Sequence, residues 1–391
     1  MHWDSQHAAD LFSGRRAGNT YSRVVNPTNE VVEKRIAALE NGVSAVVVSS
    51  GQAAQFLAIA AIARSGTNVV SSPYLFGGTY GQFRTFEGFG IEIRFAESNS
   101  PEDYAKRIDG NTRAVFLESM GNPNCDIPDF EAIAKIAHDN GVPVIVDNTF
   151  GASGYLVRPF DHNADIVVES TTKWIGGHGT TIGGVIVDST RFIWSKYPEK
   201  FTQLMAMEEK NPKCKGNNTA FPAQLRRLLS DLGPSMNPFG SFLFLQGLET
   251  LSLRVDRHCD NSLKLAKYLE AHPKVSDVFY PGLASHPDHH LAKKYYKRGF
   301  GAVLTFEPKP EGDEDRGCKV VDNLKLASHL VNVGDMKTLV ALPFYTTHHI
   351  LTEQEKKNCR VTPGLIRVSV GCEFIDDIIA DFDQALEKAY K

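Results

Sequence analysis

Between residues 45 and 187 the chain alternates short apolar runs with longer amphipathic ones. The runs fall at residues 45–48, 68–71, 91–95, 113–118, 142–147, 164–168 and 182–187. Most are separated by stretches such as QAAQFLAIAAIAR and DFEAIAKIAHDNG, whose apolar residues recur at helical spacing. Runs apolar on both faces and joined by helical crossovers predict a mainly parallel sheet covered by helices. The stretch from 173 to 181 is too short and too glycine-rich for a crossover helix, so the seventh run is expected to return antiparallel. Ahead of the first run, EVVEKRIAALENG predicts an amphipathic helix closed by Gly42.

The pattern changes toward both ends. Residues 1–25 are polar and weakly periodic, which reads as an arm. Residues 192–238 are mostly helical and loop-like. From Asn237, FGSFLFLQGLETLSLRVDRHCDNSLKLAKYLEAH predicts one long helix leading into a second unit. The expected organisation is therefore an arm (1–25), a large domain (26–237) and a smaller C-terminal α/β domain (238–391). Strand runs at 275–279, 302–306 and 365–370 and a last helix, DDIIADFDQALEKAY, fill the smaller domain. The tract EPKPEGDEDRG reads as a solvated loop. At 391 residues the chain exceeds the size at which single cores stop growing, and two domains sharing a cleft fit that length.

Composition narrows the partners. Hydrophobic residues make up 42%, charged residues 23%, and the net charge is −4, so there is no broad basic field for nucleic acid and a small-molecule partner is expected. No apolar stretch approaches the roughly 20 residues of a membrane span and no signal-like core opens the chain, which makes the cytoplasm the default compartment. Six scattered cysteines without a CxxC pair argue against a disulfide framework and a zinc site. The histidines at 286–290 and 348–349 lack acidic or thiolate companions at metal spacing, so no metal is expected.

Candidate chemistry centres on STTKWIGGHGTTIGG, residues 170–184. Lys173 lies at the end of an apolar strand, where desolvation lowers an ammonium pKa and frees the amine as a nucleophile. Ser170, Thr171 and Thr172 are short donors suited to an anion. A phosphate beside an aldehyde-binding lysine suggests pyridoxal phosphate. In VIVDNTF, Asp147 ends a strand of an open α/β sheet, where ligands bind, and a carboxylate there suits a protonated pyridine nitrogen. Ser49, Ser50, Gly51 and Gln52 precede a helix whose free N–H groups fit a phosphate. No GxxxxGK[ST] loop and no strand-linked GxGxxG is present, which counts against ATP and NAD.

With those residues in view, the chain resembles the Cys/Met-metabolism branch of fold-type I pyridoxal-phosphate enzymes, most closely the O-acetylhomoserine sulfhydrylases. The motifs are YSRVVNPTNE, SSGQAA, YLFGGTYGQF, VDNTF, TTKWIGGHGTTIGGVIVD, NVGDMKTLVALP, TTH and GLIRVSVGCE, in the family's order. The resemblance implies a fold-type I transferase with a mainly parallel seven-stranded sheet in its large domain. It implies that Lys173 bears the cofactor and then shuttles protons while Asp147 pairs with the pyridine nitrogen. Gly51, Gln52, Ser170 and Thr172 would hold the phosphate. Tyr21 and Arg23 would reach the phosphate in a neighbouring subunit, within a homo-oligomer, expected to be a tetramer built from dimers. Glu118, Asn122 and Thr149 would line the ring, and Arg367 would clamp the substrate carboxylate. Asn332, Phe344 and Tyr345 complete the implied substrate site.

Three departures from the family stand out. The segment ahead of the tyrosine–arginine motif is short. Phe76 replaces a tyrosine that stacks on the cofactor and can donate a proton, a role left to Lys173, Tyr80 or water. Leu342, Phe344 and Tyr345 replace a histidine and small residues after KTL. The implied reaction is γ-replacement on O-acetyl-L-homoserine, with sulfide or a thiol as nucleophile and homocysteine as product. A carbon nucleophile, cystathionine synthase or lyase chemistry, and a catalytically silent paralogue are the alternatives.

Overall fold

The computed structural model describes residues 2–211, 214, 218–313 and 315–391, so part of the 192–238 stretch and Glu314 of the charged tract lie outside the described residues. The seven apolar runs become one sheet: β1 (Ser44–Val48), β2 (Asn68–Ser71), β3 (Glu92–Phe95), β4 (Thr112–Glu118), β5 (Val144–Asp147), β6 (Ile166–Glu169) and β7 (Gly184–Asp188). Their order is β1-β7-β6-β5-β4-β2-β3. β2 to β6 are mutually parallel, and β7 runs against both its neighbours, β1 and β6.

The sheet is buried on both faces, which is why its strands lack a polar alternation. Val47, Val70, Leu117, Val146 and Val167 face one core, while Val46, Val69, Phe116, Ile145 and Val168 face the other. The first helices are α1 (Ser5–Phe12), α2 (Pro27–Glu40), α3 (Gly51–Ala60) and α4 (Gly77–Gly88). α2 packs Val32 and Ile36 into the first core; α3 and α4 pack Leu57, Ala58, Phe83 and Phe86 into the second. α1 departs from the expected arm without regular structure: Asp4 caps it by accepting from the His7 N–H at 2.7 Å.

A second sheet of five strands has the order β10-β11-β12-β9-β8. Its members are β8 (Val275–Phe279), β9 (Val303–Pro308), β10 (Ser328–His329), β11 (Leu339–Ala341) and β12 (Ile366–Ser369). β10 and β11 were not expected, because two and three residues are too short to carry a period. The long helix expected from Asn237 is two, Pro238–Glu249 and Leu251–Ala271. At the break at Thr250 the buried Arg254 guanidinium donates to the helix-end carbonyl Gly247 O at 2.7 Å and also to Trp174 O, next to Lys173, at 2.8 Å. Among the described residues no helix is long and apolar enough to cross a membrane.

Where α2, β6 and the turn after β5 meet, two glutamates are buried together. Asn148 Nδ2 donates to Glu40 Oε1 at 2.7 Å and the Ser153 N–H to Glu169 Oε2 at 3.0 Å, while Glu40 Oε2 and Glu169 Oε1 have no hydrogen-bond donor among the other described residues. Burial raises both pKa values above the ordinary 4.5, and each carboxyl's neighbour keeps the pair from ionising together. The folded pair therefore retains a proton that the unfolded chain releases above about pH 4.5. Stability contributed at low pH is lost as pH rises toward neutrality. Melting temperature should fall between pH 5 and 8 in the wild type and fall less in Glu169→Gln, whose amide supplies a permanent donor. Parallel profiles for the two proteins would remove the shared proton from the account.

Candidate active site

The carboxyl ends of parallel strands leave their last side chains facing a common space, and here β4, β5 and β6 deliver Glu118, Asp147 and, one turn on, Ser170, Thr172 and Lys173 to one cavity. The N-terminus of α3 adds Gly51 and Gln52, and the second sheet adds Asn332 and Arg367. Asn122, Thr149 and Phe76 complete the expected set.

Asp147 is gripped from two sides. Gln55 Nε2 donates to its Oδ2 at 2.7 Å and the Thr149 N–H to its Oδ1 at 2.9 Å. Thr149 Oγ1 in turn accepts from the Ser170 N–H at 2.9 Å, tying β5 to β6. No cation of the described chain offsets the burial of this carboxyl, and its pKa is raised. Glu118 is its cross-strand neighbour and accepts from the Phe76 N–H at 2.7 Å. Burial and the adjacent Asp147 hold Glu118 well above the usual carboxylate range.

Two cations complement these acids without pairing with them. Lys173 Nζ donates to Asn332 Oδ1, and burial with the nearby Arg367 brings its pKa down to about 8. Gly334, at φ +75°, permits that contact: a Cβ there would lie 2.8 Å from the Trp174 nitrogen and ring. Arg367, only 3% exposed, meets Asn122 Oδ1 at 3.3 Å and Asn332 O at 3.5 Å, and among the described residues no carboxylate pairs with it. Burial lowers it to about 10.

The opposite end of the cavity is built for an anion. Ser50 Oγ accepts from the Ala53 N–H at 3.1 Å, leaving the Gly51 and Gln52 N–H groups at the open start of α3. Position 51 admits only glycine, because a Cβ would sit 2.8 Å from that of Ser170.

Several expected residues are placed elsewhere. Tyr21 and Arg23 do not line their own chain's cavity: Tyr21 is 62% exposed, and Arg23 donates to Ser230 O with its guanidinium 5.4 Å from the Tyr21 ring. Tyr345 lines an adjoining groove. Phe344 lines neither: in the tight turn closed by Tyr345 and Thr346 N–H groups on Leu342 O its ring stands edge-to-face with that of Tyr345, 5.0 Å between centres, on the side away from the groove. Its ring packs on the core under the Lys356 ammonium, 4.0 Å from the ring centre. Tyr80 is no proton donor to the cavity: it is 4% exposed and its hydroxyl is spent on Pro73 O and Cys359 Sγ.

Comparison with known proteins agrees with this geometry. The profile of the Cys/Met metabolism PLP-dependent enzymes matches residues 2–387. The chain belongs to that family. A homocysteine/cysteine synthase of Saccharomyces cerevisiae is 56% identical, over 99% of this chain and 90% of the relative. An O-acetyl-L-homoserine sulfhydrylase of Thermus thermophilus is 45% identical, over 97% and 91% respectively. A Campylobacter jejuni structure, provisionally described as an O-acetylhomoserine (thiol)-lyase with a pyridoxyl-lysine phosphate, superposes with a TM-score of 0.91 at 36% identity, covering 99% of this chain and 93% of that one.

The cofactor of this PLP-dependent enzyme is pyridoxal phosphate, and the residues present fit it. A buried carboxyl without a counter-ion suits a pyridinium, a lysine poised near pH 8 suits an aldehyde, and the start of α3 opposite Ser170 and Thr172 suits a phosphate. Sequence reasoning missed Gln55, which orients Asp147. The signal available was one polar residue four positions after Gly51, one turn ahead of the buried Ala58 and Ile59 on the same helical face. Hydrogen bonds to charged groups are worth about 1.5–3 kcal/mol. Gln55→Leu should therefore weaken cofactor retention by about ten- to a hundredfold in titrations of apoenzyme with pyridoxal phosphate followed by absorbance; unchanged affinity would leave Gln55 a packing residue.

Proposed function

We propose that this enzyme performs γ-replacement on O-acetyl-L-homoserine, with sulfide or a thiol as nucleophile, sulfide giving homocysteine. The observation that carries the reading is Arg367, a buried guanidinium facing the Lys173 amine with only carboxamide and carbonyl oxygens for partners. An α-amino acid supplies the carboxylate it lacks, in the bidentate form a guanidinium favours. The names of the three relatives support the choice of leaving group and nucleophile, and none of the three is named for carbon–carbon bond formation.

When bound, pyridoxal phosphate supplies an aldehyde carbon for the substrate amine and a ring that stores the electron pair released at Cα. Lys173 Nζ is placed to take the proton from Cα and move protons at Cβ, Asn332 Oδ1 holding its amine in the cavity. Asp147, fixed by Gln55 and Thr149, would hold the cofactor's pyridine nitrogen and favour its protonated form. Phe76 lends a ring face but no proton, which suits a good leaving group such as acetate. In the balanced reaction the Cγ–O bond breaks, acetate leaves with the electron pair, a C–S bond forms at Cγ, and the proton from sulfur is released.

The exposed positions of Tyr21 and Arg23, outside their own cavity, support a site completed by a second chain within a tetramer of paired dimers. The same reading puts the domain boundaries at 25 and 237 and the protein in the cytoplasm, where its six free cysteines would stay reduced. Purified enzyme given O-acetyl-L-homoserine and sulfide should release acetate and homocysteine in equal amounts by mass spectrometry. Homocysteine absent while other sulfur products form would overturn the assigned nucleophile. For the shared site, hybrids of Arg23→Ala and Lys173→Ala chains should regain activity, since one site per pair has both intact parts. Hybrids that assemble yet stay inactive would place Arg23 in its own subunit's work.

A further inference from the structure

The ionic cavity opens sideways into a groove that γ-replacement by sulfide does not use. Phe76 and Val331 line both spaces, so the groove continues the active site. Beyond them its wall is Tyr345, Thr346, Thr347 and Ile350, and its only titratable side chains are Tyr345 and His349. The turn carrying this wall is tied down, with the His348 N–H on Pro343 O at 2.9 Å and His348 Nε2 3.2 Å from Leu75 O.

In the single chain the apolar side chains at this mouth are open to solvent. Phe76 is 37% exposed, Val331 and Tyr345 each 46%, and Ile182, on the cavity's rim, 66%. An α-amino acid is matched by Arg367 and Lys173 within the cavity and has no use for such a surface. Bare sulfide, small and strongly hydrated, has none either. Exposed apolar groups that converge on a polar site mark a ligand with an apolar portion.

We propose that the groove is the nucleophile subsite, and that Tyr345 and Val331 select a nucleophile carrying an apolar body over free sulfide. This rests on the γ-replacement reading and specifies its second substrate by class. The reacting atom enters between Phe76 and Val331 while the apolar body lies along Tyr345 and Ile350. For a thiol, the S–H proton is lost, sulfur bonds Cγ, the Cγ–O bond breaks and acetate departs with the electron pair, giving a thioether amino acid without any redox change.

The test uses the holoenzyme at saturating O-acetyl-L-homoserine, with sulfide, methanethiol and straight-chain thiols up to hexanethiol, and a parallel series of 1,3-dicarbonyl compounds with lengthening alkyl chains. Burying a methylene in the groove should raise kcat/KM for the nucleophile by about three- to fourfold per carbon, until the groove is filled. Tyr345→Ser and Val331→Ser should each flatten that slope, lowering the hexanethiol value at least tenfold more than the sulfide value. A slope in either series supports the groove and identifies the reacting atom; flat slopes in both, or slopes untouched by both substitutions, overturn it. Acetate release that fails with every nucleophile, sulfide included, would instead overturn the γ-replacement reading beneath it.

Discussion

Charge held out of water without a counter-ion is the condition on which the site depends. Asp147, Lys173 and Arg367 converge on one cavity, yet no ion pair joins them. Each is instead held by neutral partners: Gln55 and a backbone N–H for the carboxyl, Asn332 for the amine, Asn122 and a carbonyl for the guanidinium. Had they paired with one another, the lysine would be locked as a cation and the other two would have nothing to offer a ligand. Keeping them apart requires a rigid frame, because a buried unpaired charge relaxes toward any counter-charge within reach.

The two-faced sheet supplies that frame. β4, β5 and β6 are parallel and buried on both faces, so the ends that bear Glu118, Asp147 and Ser170 cannot shift without opening a core. β7 reverses direction beside them, and the turn that makes the reversal possible is the glycine-rich stretch containing Lys173. Under the same edge the Glu40 and Glu169 carboxyls anchor the Asn148 side chain and the Ser153 N–H in the segment that follows Asp147. The pair lies beneath the functional acid without touching the cavity, which separates supporting the site from taking part in its chemistry.

The second sheet acts on the substrate side. β12 carries Arg367, and the loop before β11 brings Asn332 to Lys173 and Val331 to the cavity mouth. The carboxamide that holds the lysine and an apolar group of the rim thus arrive on adjacent residues, 332 and 331, so the orientation of that loop bears on both the amine and access to it.

The sequence alone pointed to the parallel sheet, the antiparallel return of its seventh strand and the candidate lysine and aspartate, whereas Arg367 was marked only by the family resemblance. Those signals are local: apolar runs of fixed length, a glycine-rich turn too short for a helix, and charged residues at strand ends. Tertiary structure decided the rest. Gln55 reads as one polar residue in a helix until α3 is laid over β5, and the neighbouring Phe344 and Tyr345 look equivalent until a turn sends one to the core and the other to the groove. Tyr80, a candidate acid by sequence, is consumed by Pro73 and Cys359. β11 exists only as a partner of β12, and β10 only as a partner of β11, both being too short to fold as strands by themselves. Orientation and pairing across long separations are not encoded in any one segment, because they are settled by which surfaces meet when the two sheets close on the cavity.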